Sequence, residues 1–138
     1  MKNLTLTIFL AVLVTILFAQ DQLALNGNAR PDVSASIASF SWDQTTVDLG
    51  KVKKNNPVTH EFAFTNAGNA PLVISSVKAS CGCTVTRYSK DPIPTGSTGF
   101  VSATYNAAAL GVFTKTVTVN ANTREGSTVL IIKGEVTE

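Results

Sequence analysis

The sequence predicts an all-β, immunoglobulin-like β-sandwich of about seven to eight short strands, preceded by a signal peptide and a linker. Three observations predict it. Turn signals recur at short intervals from Ile37 onward, at Leu49-Gly50, Asn55-Asn56-Pro57, Asn66-Ala67-Gly68-Asn69, Pro94-Thr95-Gly96 and Arg124-Glu125-Gly126. The segments between them are rich in Val, Ile, Thr and Phe, whose branched or flat side chains suit a pleated, half-buried surface. Beyond Ala19, no window long enough for a stable helix carries apolar residues at helical spacing. A chain of 138 residues is long enough to bury one core and short enough to form a single domain.

Residues 1–19 hold one charge, Lys2, followed by an uncharged and mostly apolar run from Leu4 to Ala19. As a helix rising about 1.5 Å per residue this run reaches roughly 24 Å, short of the roughly 30 Å hydrocarbon core. Thr5, Thr7 and Thr15 dilute it further, and no basic cluster follows to stop transfer. A basic start, a short apolar middle and a small terminal residue predict a cleaved signal peptide, with Gln20 as the new N-terminus. No cysteine lies near that boundary, so a lipoprotein anchor is not expected. The expected location is the periplasm or the cell exterior, with no stable membrane span after cleavage. Residues 20–36 mix Asn, Gly, Ala, Ser and Pro31 without periodicity and predict a flexible linker, leaving residues 37–138 as the folded domain.

Within that domain the clearest strand is Val-Thr-His-Glu-Phe-Ala-Phe-Thr, residues 58–65. Val58, His60, Phe62 and Phe64 share one face, while Thr59, Glu61 and Thr65 share the other, which predicts burial on one side. Leu72-Val73-Ile74 and the run Phe113 to Val119 continue the pattern. The run Thr128 to Ile132 is apolar on both faces, which predicts a strand that is either central or covered on both sides. The expected core is Trp42, Phe62, Phe64, Leu72, Ile74, Val117, Leu130 and Ile132. Asn66 and Gly68 suit a turn that visits positive φ, with Pro71 leading into the next strand.

Eleven basic and nine acidic residues leave a net charge of +2, with no block of like charge. A nucleic-acid surface is therefore not expected. One histidine excludes any site needing two, and two cysteines exclude a four-thiolate zinc site or an inter-sheet framework of several disulfides. No Ser/His/Asp set, GxSxG elbow or calcium loop is visible, so no catalytic residue and no cofactor is assigned. Asp43, Asp48, Glu61 and Asp91 are scattered, and Lys51, Lys53 and Lys54 read as a solvated basic loop. His60 reads as a satisfied rim residue.

Cys81-Gly82-Cys83 is the unit with chemical potential. In an extended strand its two cysteines lie about 6.6–6.8 Å apart on one face, at the upper edge of what a disulfide tolerates. Gly82 can bend the backbone and shorten that separation. A bridge would close so small a loop that chain entropy contributes only about 1.6 kcal/mol, against about 3 kcal/mol for fifteen residues. Such a bond stabilises poorly and is readily reduced. Three readings stay open: a pair of small buried hydrophobes, a redox-labile disulfide, or part of a soft-metal site for copper(I) or zinc.

Taken in order, Phe40-Ser-Trp42, Leu49-Gly50-Lys51-Val52, the Asn66-Ala-Gly68-Asn-Ala-Pro71-Leu72 frame, Ser80-Cys81-Gly82-Cys83-Thr84, Pro92-Ile93-Pro94, Gly111-Val-Phe113 and the closing Lys133-Gly134-Glu135-Val136 make an ordered set. This set resembles the bacterial domain-of-unknown-function family 1573 over residues 40–136. That family comprises secreted proteins related to the immunoglobulin-like Hydin and sperm-protein-type domains. Thr95 departs from the Pro that the family usually carries before Gly96. The resemblance implies the fold and an extracytoplasmic location, and it supplies no mechanism. The functional expectation is a non-enzymatic binding or scaffold module that offers loops or a sheet edge to another extracytoplasmic protein or envelope component. The alternative is thiol–disulfide or soft-metal handling at Cys81 and Cys83.

Overall fold

The computed structural model describes residues 35–138. The signal-peptide segment 1–19 and all but the last two residues of the linker 20–36 lie outside the described residues. Eight strands form in the described part: β1 (Phe40–Trp42), β2 (Thr46–Lys53), β3 (Val58–Asn66), β4 (Ile74–Ala79), β5 (Cys83–Tyr88), β6 (Thr98–Tyr105), β7 (Gly111–Ala121) and β8 (Ser127–Thr137). They pair into two four-stranded sheets, ordered β1-β3-β6-β5 and β2-β8-β7-β4. The architecture is the all-β sandwich that the turn spacing and strand composition predict.

The chain changes sheets early. Strand β1 pairs antiparallel with β3, and three residues later β2 pairs parallel with β8. The Asp43 amide still bonds Ala63 of the first sheet, whereas the Thr45 carbonyl already accepts from Ile131 of the second at 2.7 Å. The long antiparallel pairs carry the sandwich. Strands β3 and β6 run from Val58 opposite Tyr105 to Thr65 opposite Thr98, and β7 and β8 from Gly111 opposite Val136 to Asn120 opposite Ser127.

Alternation places Phe62, Phe64, Val101, Val117, Val119, Leu130 and Ile132 between the sheets, with Leu72 and Ile74 closing the core. One expectation is corrected here. Trp42 is only half-buried. It sits on the three-residue edge strand β1, so its indole caps the core's rim, stacking on Phe40 at 4.7 Å and meeting Phe64 edge-on at 4.8 Å. Strand β8 is central in its sheet, the first of the two alternatives that its apolar run allows, and among the described residues it is covered on one face. Leu130, Ile132 and Val136 are buried, while Val129 on the opposite face is 49% exposed. Being central satisfies the backbone ladder on both sides; it does not supply a layer over the outer pleat.

Asn66, at the end of β3, is a fully buried polar side chain. Its Nδ2 donates to the carbonyls of Ala70 at 2.7 Å and Ile93 at 2.9 Å. Its Oδ1 accepts from the Gly68 amide at 3.0 Å and, at a longer 3.4 Å, from the Ser39 amide. Both donor hydrogens are thus used, and the burial of the amide is compensated. The expected positive φ is absent from this turn, because neither Asn66 nor Gly68 is among the residues that adopt it. Gly68 is required by close approach instead. A β-carbon there would lie 2.6 Å from the Ser39 amide nitrogen, inside any tolerable contact.

Two stability measurements check this account. Phe64→Ala should lower the unfolding free energy by about 3–5 kcal/mol, because Phe64 is fully buried beneath Phe40 and Trp42. Asn66→Asp keeps the side-chain shape and one acceptor but brings a carboxylate against the Ala70 and Ile93 carbonyls, which lose the bonds its Nδ2 donated. Denaturant unfolding should show a loss of roughly 2–5 kcal/mol; an Asp variant as stable as the parent would show that the amide is not needed.

Candidate functional site

The Cys81-Gly82-Cys83 unit lies where the chain crosses from β4 in one sheet to β5 in the other. Ser80 holds the near side of the crossing on β7: its amide donates to the Thr116 carbonyl at 2.9 Å, and its Oγ accepts from the Thr116 amide at 3.0 Å. The Cys83 amide then donates back to the Ser80 carbonyl at 3.1 Å, closing a tight turn. Gly82 takes φ +88° within it, a conformation that L side chains rarely adopt. Space is not what demands glycine here, since a β-carbon would meet Lys115 Cε and the Tyr105 ring at an ordinary 3.5 Å. The Gly82 carbonyl accepts from the Asn106 amide at 3.0 Å, and Cys83 opens β5 opposite Tyr105. The Tyr105 ring is buried and stacks on Phe113 with centroids 4.0 Å apart.

The turn separates the environments of the two cysteines. Cys81 is exposed, Cys83 is half-buried against the core, and both are free thiols. The reading of two small buried hydrophobes on one face is therefore corrected for Cys81. It stands in a turn and not on the pleat, so the alternation argument does not reach it. Burial pushes the Cys83 thiol up from its ordinary value, and the nearby Lys115 ammonium opposes that shift. Burial also raises Tyr105, with Cys83 adding to the rise.

Lys115, Tyr105 and Asn106 are the neighbours that sequence reasoning missed. A signal for Lys115 was present. It shares strand parity with Phe113, Val117 and Val119, so a cation stands on the inward face of β7 near its start. Nothing in the local sequence brings that cation to a turn more than thirty residues earlier.

The remaining candidates are structural. The Gln44 amide nitrogen lies 3.2 Å from His60 Nε2, and the imidazole packs edge-on against Phe62 at 4.7 Å, as expected of a satisfied rim residue. Burial lowers its pKa, with Glu61 opposing. Lys51, Lys53 and Lys54 are exposed, but Lys51 and Lys53 belong to strand β2 and not to a loop. Glu61 meets Arg87 across the first sheet at 3.8 Å, and Asp48 Oδ1 accepts from the Gly50 amide. Among the described residues, no three of His, Cys, Asp and Glu gather closely enough to hold a metal ion, and no helix is long and apolar enough to cross a membrane.

The surfaces open to a partner are the sheet edges and the outer pleats. Strand β1 is short, and the registers of β2, β4 and β5 are broken between Asp48 and Lys51, between Ile74 and Ser76, and between Val85 and Arg87. Short or bulged edges discourage strand addition. The outer face of β7 and β8 is regular by contrast. There Val112, Thr114, Thr116 and Thr118 lie opposite Glu135, Lys133, Ile131 and Val129. Val112 is 84% exposed, Val129 49%, and Leu110 at the entry to β7 48%.

Comparison with known proteins gives one sequence family and several solved structures of similar fold. The family described as "Protein of unknown function (DUF1573)" matches residues 40–136. No curated protein matches the sequence. A Porphyromonas gingivalis protein of unknown function aligns with a TM-score of 0.63 at 14% identity, over 78% of this chain and 51% of that one. The secreted serine protease VesC of Vibrio cholerae aligns at 0.56 with 18% identity, over 76% of this chain and 24% of its own. The ASH/PapD-like domain 7 of human CEP192 aligns at 0.57 with 10% identity, over 84% of this chain and 97% of that domain. The chain thus spans about half the length of the first protein and about a quarter of the second. At these identities the likeness is one of fold.

His60 makes the pH dependence predictable. Its folded pKa lies below the ordinary imidazole value of 6.5, so the unfolded chain binds its proton more readily. Stability should be constant above that value, fall as the pH drops below it through the folded pKa, and level off beneath. Thermal melts of His60→Gln should lack this step, and an unchanged step would assign it to another group.

Proposed function

The chain belongs to the DUF1573 family of proteins of unknown function, and from that premise we propose that it is a non-enzymatic binding or scaffold module of the bacterial cell envelope. The observation that carries this reading is the uncovered outer face of β7 and β8. Sequence alternation makes β8 apolar on both faces, yet the fold covers one. Val129, Ile131 and Val112, with Leu110 beside them, leave apolar surface that a second surface would remove from water. The partner is another extracytoplasmic protein or envelope component. It docks on this pleated face in preference to the bulged edges, with the Thr114, Thr116 and Thr118 hydroxyls and the Lys133 and Glu135 charges supplying the polar contacts. In this reading residues 1–19 are a signal peptide removed on export, and residues 20–36 tether the domain at a distance from its neighbours.

Two experiments test it. Intact mass of the exported protein should correspond to a chain beginning near Gln20; a chain retaining residues 1–19 overturns the export reading. Crosslinking in the native envelope should capture a specific partner with the parent chain. A Val112→Glu/Val129→Glu double variant, placing two charges on the exposed face away from the core, should retain its circular dichroism and lose that capture at least tenfold. Equal capture by the folded variant would remove the face from the proposal.

A further inference from the structure

We propose that Cys81 and Cys83 form a reversible dithiol–disulfide couple that exchanges with small disulfides, Cys81 receiving the incoming sulfur and Cys83 resolving it. The inference is independent of the docking face, which lies on the outer pleat of the other sheet, and it rests on four features of the turn. The bend at Gly82, closed by the bond from the Cys83 amide to the Ser80 carbonyl, replaces the extended strand, in which the two residues would stand about 6.6–6.8 Å apart, by a tight turn of the kind that shortens such a separation toward the range a disulfide spans. The backbone on both flanks is tied down, by Ser80 on Thr116 and by Gly82 on Asn106. The thiols are unequal: Cys81 is open to an incoming reagent, and Cys83 is half-buried against the core. Lys115 reaches the turn, with Cε 3.5 Å from where a Gly82 β-carbon would stand, and its charge favours the Cys83 thiolate against the cost of burial.

The steps balance without a further reagent. The Cys81 thiolate attacks one sulfur of a small disulfide, forming a mixed disulfide and expelling one thiolate, which takes up a proton. The Cys83 thiol loses its proton and attacks the Cys81 sulfur, forming the Cys81–Cys83 bond and expelling the second thiolate. The chain gives up two electrons and two protons, and the small disulfide becomes two thiols. Excess small thiol runs the sequence backward. Coordination of a soft metal by the same pair lacks support from a third ligand among the described residues.

The native chain, held in buffers of varied glutathione-to-glutathione-disulfide ratio, acid-quenched, alkylated and analysed by mass spectrometry, tests the proposal. The expected result is a loss of two hydrogens with a Cys81–Cys83 link, restored by excess reduced glutathione. Cys83→Ser should stop at a persistent glutathione adduct on Cys81, and Lys115→Gln should prolong that adduct several-fold in a chain with both cysteines. Retention of both thiols by the folded parent chain in oxidised buffer overturns the proposal. So does an unresolved adduct on Cys81 of the parent, or a stoichiometric copper or zinc ion on the pair that blocks exchange. These outcomes are read on the parent chain, so a misfolded variant does not decide them.

Discussion

A single buried amide organises one end of this sandwich. Asn66 leaves β3 with its side chain pointing into the fold, and from there it satisfies the carbonyls of Ala70 and Ile93 and the amides of Gly68 and Ser39. Those four groups belong to three separate stretches of chain: the approach to β1, the turn from β3 toward β4, and the loop between β5 and β6. The backbone of Asn66 joins the same loop, donating to Ser97 and accepting from Gly96. Leu72 and Ile93 then exchange amide–carbonyl bonds at 2.8 and 2.9 Å, which seats Leu72 fully in the core. Without that amide, the buried Ala70 carbonyl would lose the donor that Asn66 supplies and the Ile93 carbonyl would keep only Leu72, a cost of the kind that domains of marginal stability feel strongly.

At the β4–β5 crossing the fold makes a comparable connection with cheaper parts. Ser80, Gly82 and Cys83 tie their turn to β7 and β6 through backbone bonds and one hydroxyl, leaving both thiols without a structural task in those bonds. The surrounding chemistry differs between them because β5 begins at Cys83: the ladder carries Cys83 inward beside Tyr105, while Cys81 remains outside. A stabilising bridge across so short a loop has little entropic basis. Exchange chemistry has a better one, because it uses the inequality of the two sulfurs.

The two proposed roles occupy different surfaces. The turn sits at the crossing between sheets, whereas the apolar pleat of Val112, Ile131 and Val129 runs along the outside of β7 and β8. The bulges in β2, β4 and β5 and the brevity of β1 limit pairing at the edges, whereas the outer face of β7 and β8 is regular.

The alternation in residues 58–65 by itself determined which face of β3 is buried, and the turn residues determined the number of strands, because strand pleat and turn chemistry are local properties of the backbone. The Ser80-Cys81-Gly82-Cys83-Thr84 motif in its frame was enough to name the family. Tertiary structure alone decided the rest. Trp42 became a rim residue because β1 proved to be a short edge, and β8 took the central place in its sheet with one face covered among the described residues. Gly68 turned out to be required by the closeness of Ser39 and not by its own φ. Cys81 and Cys83 parted company because the crossing between sheets falls at Gly82, and Lys115 reached them from a strand thirty residues on. Each of these depends on what packs against a residue from elsewhere in the chain, and a sequence pattern read along one strand carries no record of that neighbour.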